Sequence, residues 1–411
     1  MGRTMRIAVI GAGAMGRWCV KGLARSKDVN EIVIGDIQID AAERLAAGDS
    51  DDKARAVAVD AMDEAAVADM LCGCDAVVNA AQHTCVTSSM KGALRARVPY
   101  TDLGGFFHLT RRQFDLHDAF VAAGVPAVIA MGSAPGITNI LAKHAADHLD
   151  TVEEVHARCG SLDRTDWSGY RGWTIPYSLE TLCEEFGSSA VQWIDGVWRE
   201  MPGASGEEDC DFGPPLGVLR AYFTLHSEVA TFYHSWVAQG LKTATWKLAL
   251  PPDFTEQMRF LTRIGLTSKQ QVESGGSLVQ PRALLAALLR QMPSCEVVPD
   301  DTEVLMSVVR GVAGGRPVEW RTRAVVRSAP DMGAAAGDID TGVPPTIVAR
   351  ALARGEIDRP GVWAPEQIVD TRAFFTELAE WGIVAEATCR ERLDSEDAPL
   401  RWQGLATPKQ V

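Results

Sequence analysis

The chain has 411 residues, enough for two to three domains. Its 46% apolar and 23% charged residues are the proportions of an ordinary globular protein and exclude a disordered or collagen-like chain. A net charge of −14, spread along the chain, argues against a nucleic acid or an anionic membrane as partner.

Taken in chain order, the first third alternates β-rich runs with amphipathic stretches. Strands are predicted near 6–10, 31–35, 55–59, 76–79, 100–102 and 127–130, with helices near 15–24, 41–47, 64–71, 86–97 and 111–123 between them. This is the pattern of an α/β fold, a doubly wound parallel sheet with helices on both faces. After Pro135-Gly136 a helix is predicted near 138–149, then irregular stretches at 162–176 and 202–217 in a region rich in Trp, Pro and Gly. Over 317–327, Val318, Trp320, Ala324 and Val326 alternate with Glu319, Arg321, Arg323 and Arg327, which predicts a strand with one buried face in an α+β second domain. The tail returns to helices near 343–354 and 372–381.

Nine cysteines, an odd number without regular spacing or a CxxC pair, point to reduced thiols. The N-terminus leads into an apolar run of only a few residues, so neither a signal peptide nor a spanning helix is predicted and a cytoplasmic protein is expected. Without an HExxH motif, no metal is expected.

The first predicted strand runs into Gly11-Ala12-Gly13-Ala14-Met15-Gly16, a GxGxxG that opens a helix. Gly11 permits the tight turn, Gly13 lets the backbone approach a pyrophosphate and Gly16 lets helix and strand pack closely. Ala14 and Met15 lie in the first helical turn, whose N–H groups face the phosphate. Asp36 ends the second strand 20 residues after Gly16, where its carboxylate accepts hydrogen bonds from an adenosine ribose. It repels a 2′-phosphate, and Ile37-Gln38-Ile39-Asp40 offers no cation, so NAD is favoured and NADP stays open. Asp60, after the third strand, and Asn79-Ala80-Ala81-Gln82, at the end of the fourth, are further cofactor candidates or plain turn residues.

Met131-Gly132-Ser133-Ala134-Pro135-Gly136-Ile137-Thr138-Asn139 resembles the saccharopine dehydrogenase-like family and, within it, the lysine 6-dehydrogenases. Pro176-Tyr177-Ser178-Leu179-Glu180-Thr181-Leu182, the run Tyr222 to Thr231 with its Thr-Leu-His-Ser-Glu, Ala244-Thr245-Trp246-Lys247 and Gly361-Val362-Trp363-Ala364-Pro365-Glu366 carry the same resemblance. It implies a Rossmann domain over 1–135, an α+β substrate and dimerisation domain over 136–340, and a C-terminal helical segment over 341–411 that packs back on the first domain. It also implies NAD(P)-linked chemistry at a carbon bearing an amine, and a homodimer. Two departures stand out: residues 163–173 are bulkier and more aromatic than in the lysine enzymes, and Trp246 replaces an expected tyrosine.

Oxidising an amine needs a base for the ammonium proton, and Lys247, His226 and Asp102 are the candidates, with no choice among them. Arg171 suits an α-carboxylate, and Glu228 a cationic amine. Tyr177 and Thr224 are further substrate candidates. Asn139 caps its helix or bonds the cofactor. The expected activity is NAD-dependent oxidation of the side-chain amine of L-lysine, or a close analogue, to a semialdehyde or cyclic imine. The alternatives are a reductase joining an amine to a carbonyl compound, and a non-catalytic dinucleotide sensor.

Overall fold

A computed structural model describes residues 4–50, 52–170, 172–293, 297–392 and 403–404. Among them, seven parallel strands form the first sheet, in the order Gly361–Trp363, Pro126–Val128, Tyr100–Asp102, Ala76–Asn79, Met5–Ile10, Val29–Asp36, Ala54–Ala58. Runs such as Ile7-Ala8-Val9-Ile10 are buried on both faces, which only helices above and below can arrange. Strand order reverses between Met5–Ile10 and Ala76–Asn79, and the crevice at their carboxyl ends is where such sheets bind ligands.

The single helix expected near 111–123 is two helices, Phe106–Phe114 and His117–Ala123. The break lets Gln113 turn in to Asp102, while the ring of His117 meets the backbone of Val362. The tail is not purely helical either. Gly361–Trp363 adds the edge strand of the first sheet, and Val384–Glu391 pairs antiparallel with Arg316–Arg327 in the second.

The second sheet is mixed and runs Ser205–Asp211, Val218–Phe223, Thr243–Ala249, Thr151–Asp163, Asp301–Ala313, Arg316–Arg327, Val384–Glu391 and Gln403–Gly404. Its first strand lies inside the stretch expected to be irregular; Glu207, Glu208 and Asp209 are exposed along it, the charge that keeps an edge strand from pairing further. Arg316–Arg327 is buried on both faces rather than one. Glu319 is paired with Arg310, Arg321 and Arg390, and Arg323 with Glu386.

Helix Ile137–Ala146 packs on the inner face of this sheet, where Ser307 and Thr322 donate to the carbonyls of Thr138 and Leu141. Helix Ala336–Gly342 lies against the dinucleotide helix Ala14–Ala24: a Cβ on Gly342 would fall 2.3 Å from Trp18 Cβ. Asp28 receives Arg350 and Arg354 of helix Pro344–Arg354, which ties that helix to the first sheet. None of the eight described cysteines forms a disulfide. No described helix is long and apolar enough to cross a membrane.

Candidate functional site

At the crevice, Gly11 has φ +99°, and a Cβ on it would lie 2.8 Å from Ala81 N. A Cβ on Gly16 would lie 1.9 Å from Gly11 O. The fold itself demands these two glycines. Gly13 is different: its backbone is extended, and a Cβ there meets nothing within 4 Å. That open space, at the N-terminus of an 11-residue helix with Gly13 and Ala14 exposed and Met15 half-buried, fits a dinucleotide pyrophosphate.

Asp36 accepts from Ala12 N at 2.7 Å and from Gln38 N at 2.8 Å, one bond per carboxylate oxygen, leaving lone pairs for ribose hydroxyls. Asp60 is exposed and accepts from Met62 N. Asn79 is buried: its Oδ1 accepts from Ala81 N at 3.1 Å and its Nδ2 donates to Tyr100 at 3.0 Å, so it shapes the loop from beneath. Ala80 N donates to Ile10 O, holding the strand end, and Gln82 is exposed at the start of the next turn.

Beyond the crevice, Thr224, His226 and Glu228 lie where strand Val218–Phe223 passes into helix Glu228–Trp236. The His226 ring stacks on Trp246 with centroids 4.2 Å apart. Its Nδ1 bonds Glu228, and its Nε2 stands 3.7 Å from Glu185 Oε1. Tyr177 donates to Glu185 Oε2 at 2.5 Å, Trp246 Nε1 to Thr224 at 2.8 Å, and Thr138 to Glu228 Oε1 at 3.2 Å. The cluster borders the crevice: a Cβ on Gly104, which follows strand Tyr100–Asp102, would lie 3.5 Å from Ser227 Oγ.

Burial pushes the Glu185 carboxyl up to about 7, against the pull of His226 and Tyr177. Burial pulls His226 down, but Glu228 and Glu185 outweigh it and the net shift is upward. The Tyr177 hydroxyl is pushed up by burial and by Glu185. An imidazole whose pKa is raised, beside a carboxyl raised to about 7, is a proton-handling pair. Glu185 carries no sequence motif; its signal is a charged residue three positions after Leu182, on the buried face of helix Leu179–Gly187, while its neighbour Glu184 pairs with Arg282 and Lys269.

Two of the three candidate bases lie elsewhere. Lys247 follows Trp246 on strand Thr243–Ala249, so alternation turns it to the opposite face of the sheet. There its Nζ contacts Gly206 O and Glu208 Oε2, each at 2.7 Å, over the ring of Phe223. Asp102 is fully buried and accepts four hydrogen bonds, from Gly104 N, Ala130 N, Tyr100 and Gln113. Burial raises its pKa against those donors, but its carboxyl is occupied in ordering the loops below the crevice.

Asn139 is also an internal tie: Oδ1 accepts from Gly136 N, and Nδ2 donates to Thr231 and Glu366. No amide hydrogen is left for a cofactor. Arg171 lies outside the described residues. The chain carries one HxxxH spacing, His144 and His148, which packs against Trp320. No group of three or more His, Cys, Asp or Glu among the described residues is arranged to hold a metal.

A dinucleotide crevice opening onto a half-buried histidine and two buried carboxylates belongs to an NAD(P)-dependent oxidoreductase acting on CH–NH groups. The chain is a member of the saccharopine dehydrogenase family: residues 7–128 match the Saccharopine dehydrogenase NADP binding domain and residues 132–383 the Saccharopine dehydrogenase C-terminal domain. It is similar to carboxyaminopropylagmatine dehydrogenase of Synechocystis sp., at 23% identity over 92% of this chain and 96% of the relative. It is also similar to carboxynorspermidine synthase of Vibrio cholerae, at 24% identity over 89% and 92%. Among solved structures, apo saccharopine dehydrogenase (L-Glu forming) from Saccharomyces cerevisiae superposes with a TM-score of 0.71 at 17% identity, over 94% of this chain and 100% of that one.

Proposed function

We propose that the protein reduces the imine formed between an amine and a carbonyl compound, and oxidises the resulting secondary amine in reverse. The observation that carries this reading is His226 held between Glu185 and Glu228 beside the dinucleotide crevice. When bound, the nicotinamide gives or takes the hydride. The work of the chain's own residues is proton management. Condensing an amine with a carbonyl expels one water, and the departing oxygen takes a proton that we assign to Nε2 of His226. Glu185 refills that position, and Glu228 holds the imidazole in orientation through Nδ1. Trp246, held by Thr224, gives the imidazole a flat wall.

Of the relatives' names, carboxynorspermidine synthase favours joining, and both it and carboxyaminopropylagmatine dehydrogenase are named for a carboxylated amine larger than lysine. L-Lysine, with its side-chain amine, stays as the second substrate reading on the strength of the motif runs around Tyr177 and His226. We assign NAD over NADP on the Asp36 carboxylate at the ribose position.

Nicotinamide absorbance with purified protein tests this. Oxidation of NADH that requires both an amine and an aldehyde or keto acid is the expected result, with His226→Asn losing about 10²- to 10⁴-fold in kcat/KM. Reduction of NAD by L-lysine alone overturns joining in favour of lysine oxidation. Full activity in His226→Asn overturns the site.

A further inference from the structure

Glu366 ends the run Gly361-Val362-Trp363-Ala364-Pro365-Glu366 and lies in the short helix Pro365–Ile368, directly after the edge strand of the first sheet. A glutamate at the end of an edge strand ordinarily faces solvent. This one is 5% exposed and enters between helices Ile137–Ala146 and Glu228–Trp236, where only hydrogen-bonding partners make a buried carboxyl tolerable.

Its oxygens accept from both helices, from Asn139 Nδ2 at 2.9 Å and from Ser235 Oγ at 2.9 Å, and the Thr231 hydroxyl is a third partner. From there the bonds run on to the site. Asn139 Nδ2 also donates to Thr231 Oγ1 at 2.8 Å, and Thr231 Oγ1 donates to the carbonyl of Glu228 at 3.0 Å. Thr138, the neighbour of Asn139, donates to Glu228 Oε1 at 3.2 Å. Glu228 is therefore held at its backbone and at its side chain, and it is the residue bonded to His226 Nδ1. In the other direction Asn139 Oδ1 accepts from Gly136 N at 2.9 Å, in the loop at the crevice where Gly132 N donates to Pro135 O.

The hydrogens give the chain a direction. Thr231 has one hydroxyl hydrogen, which the Glu228 carbonyl takes, so Thr231 bonds Glu366 only as an acceptor, from a protonated carboxyl. Burial lifts that carboxyl to about 7, so the proton is present on the acid side of this value. Packing alone would set the distance between the two helices; directed hydrogen bonds also set the angle at which each partner stands.

We propose that Glu366 is a positioning residue for the reaction at His226: through Asn139 and Thr231 it sets the register between the crevice loop and the Glu228–His226 pair. This rests on the reading of His226 as the proton-handling group of the site. The chemistry stays with His226 and Glu185, and Glu366 acts only through the residues between.

The test compares three variants of the full chain. Glu366→Gln keeps an oxygen for Asn139 and an N–H for Thr231, Glu366→Leu fills the space without a polar atom, and Thr231→Val removes only the hydroxyl in the middle. NADH oxidation with an amine and a keto acid gives kcat and KM, and nucleotide titration gives cofactor affinity. The His226 imidazole is followed by NMR in the cofactor-free protein, its signal assigned by its loss in His226→Asn. Glu366→Leu and Thr231→Val are expected to lower kcat about 10- to 100-fold, the scale of a small misplacement of reacting groups, with KM and cofactor affinity within about threefold. Both should displace the His226 signal, and Glu366→Gln should restore signal and kcat together. Native kcat or an unmoved His226 signal in Thr231→Val overturns the positioning role, as do losses of kcat, KM and cofactor affinity that track the melting temperature. Thr231→Val keeps the shape of the side chain, so it decides the matter if Glu366→Leu fails to fold. Because the NMR signal needs no turnover, its displacement upholds the tie even where no amine and keto acid are joined, an outcome that would instead overturn the joining activity.

Discussion

His226 and Glu185 make their strongest claims through pH. Glu185 is protonated below about 7 and ionised above it, so in the reductive direction, where the site must deliver a proton, kcat/KM is expected to fall as pH rises through that value. Glu185→Gln cannot ionise; its profile should lose the limb near 7 and keep only the one set by His226, whose raised pKa places it higher than a free imidazole. A profile of kcat/KM across neutral pH for both proteins decides it, and identical profiles would remove Glu185 from the proton path. Lys247 supplies the contrast. On the far face of the sheet it pairs with Glu208, so Lys247→Ala should lower stability by ~1–2 kcal/mol while kcat stays within about threefold. A collapse of kcat with an unchanged melting temperature would return Lys247 to the site. These residues also mark what could be read from the chain. The Thr-Leu-His-Ser-Glu run exposed Thr224, His226 and Glu228 because they alternate within five consecutive residues at one strand-to-helix junction. Glu185 comes from a separate helix, and a lone sequence does not say which face of strand Thr243–Ala249 turns inward, so Lys247 and Trp246 were indistinguishable by spacing.

The glycine loop shows how one element separates folding from binding. A Cβ on Gly16 would lie 1.9 Å from the backbone oxygen of Gly11, so Gly16→Ala should cost ~3 kcal/mol or more, or prevent folding. Gly13 has extended backbone and open space above it, so Gly13→Val should fold with a loss under about 1 kcal/mol yet weaken cofactor binding more than about tenfold. Melting temperature and nicotinamide nucleotide titration, run side by side, check both; a Gly13→Val protein that binds cofactor normally would move the pyrophosphate elsewhere. Elements with strong local signals were legible in the same way. Strands such as Met5–Ile10 announce themselves by buried apolar runs closed by glycine. Ser205–Asp211 did not, because an edge strand carries exposed acids and reads as loop, and the three-residue Gly361–Trp363 is too short to show any period.

Over the whole molecule, two populations of carboxyls set the pH range in which the fold is most stable. Glu154, Glu184 and Glu208 are each held down to about 2, Glu154 chiefly by the hydrogen bond from His156, the other two by cationic partners that outweigh their burial. Their contribution is present above the unfolded value near 4.5 and disappears as pH falls toward 2. Glu185, Glu303 and Glu366 are raised to about 7 and Asp301 to about 6, in each case chiefly by burial. The native state therefore holds more protons than the unfolded chain between roughly pH 4 and 7, and stability drains away as pH rises through that window. Glu366 makes this a property of the assembly of parts: it receives Asn139 and Ser235, joining helix Ile137–Ala146 and helix Glu228–Trp236 to the turn after the last strand of the first sheet. The rise ends near 4.5 and the decline sets in from about 4, so calorimetric melting of the cofactor-free protein should reach its maximum at about pH 4 to 5. Toward pH 8 the midpoint should fall by several degrees, at ~2–4 °C per kcal/mol for domains of this size. Glu366→Gln should flatten that alkaline decline, since a neutral amide in the same place no longer has to be ionised in a buried site. A midpoint that climbs from pH 6 to 8 would mean that these carboxyls ionise freely in the native state, and that the inner face of the second sheet is far wetter than its burial implies.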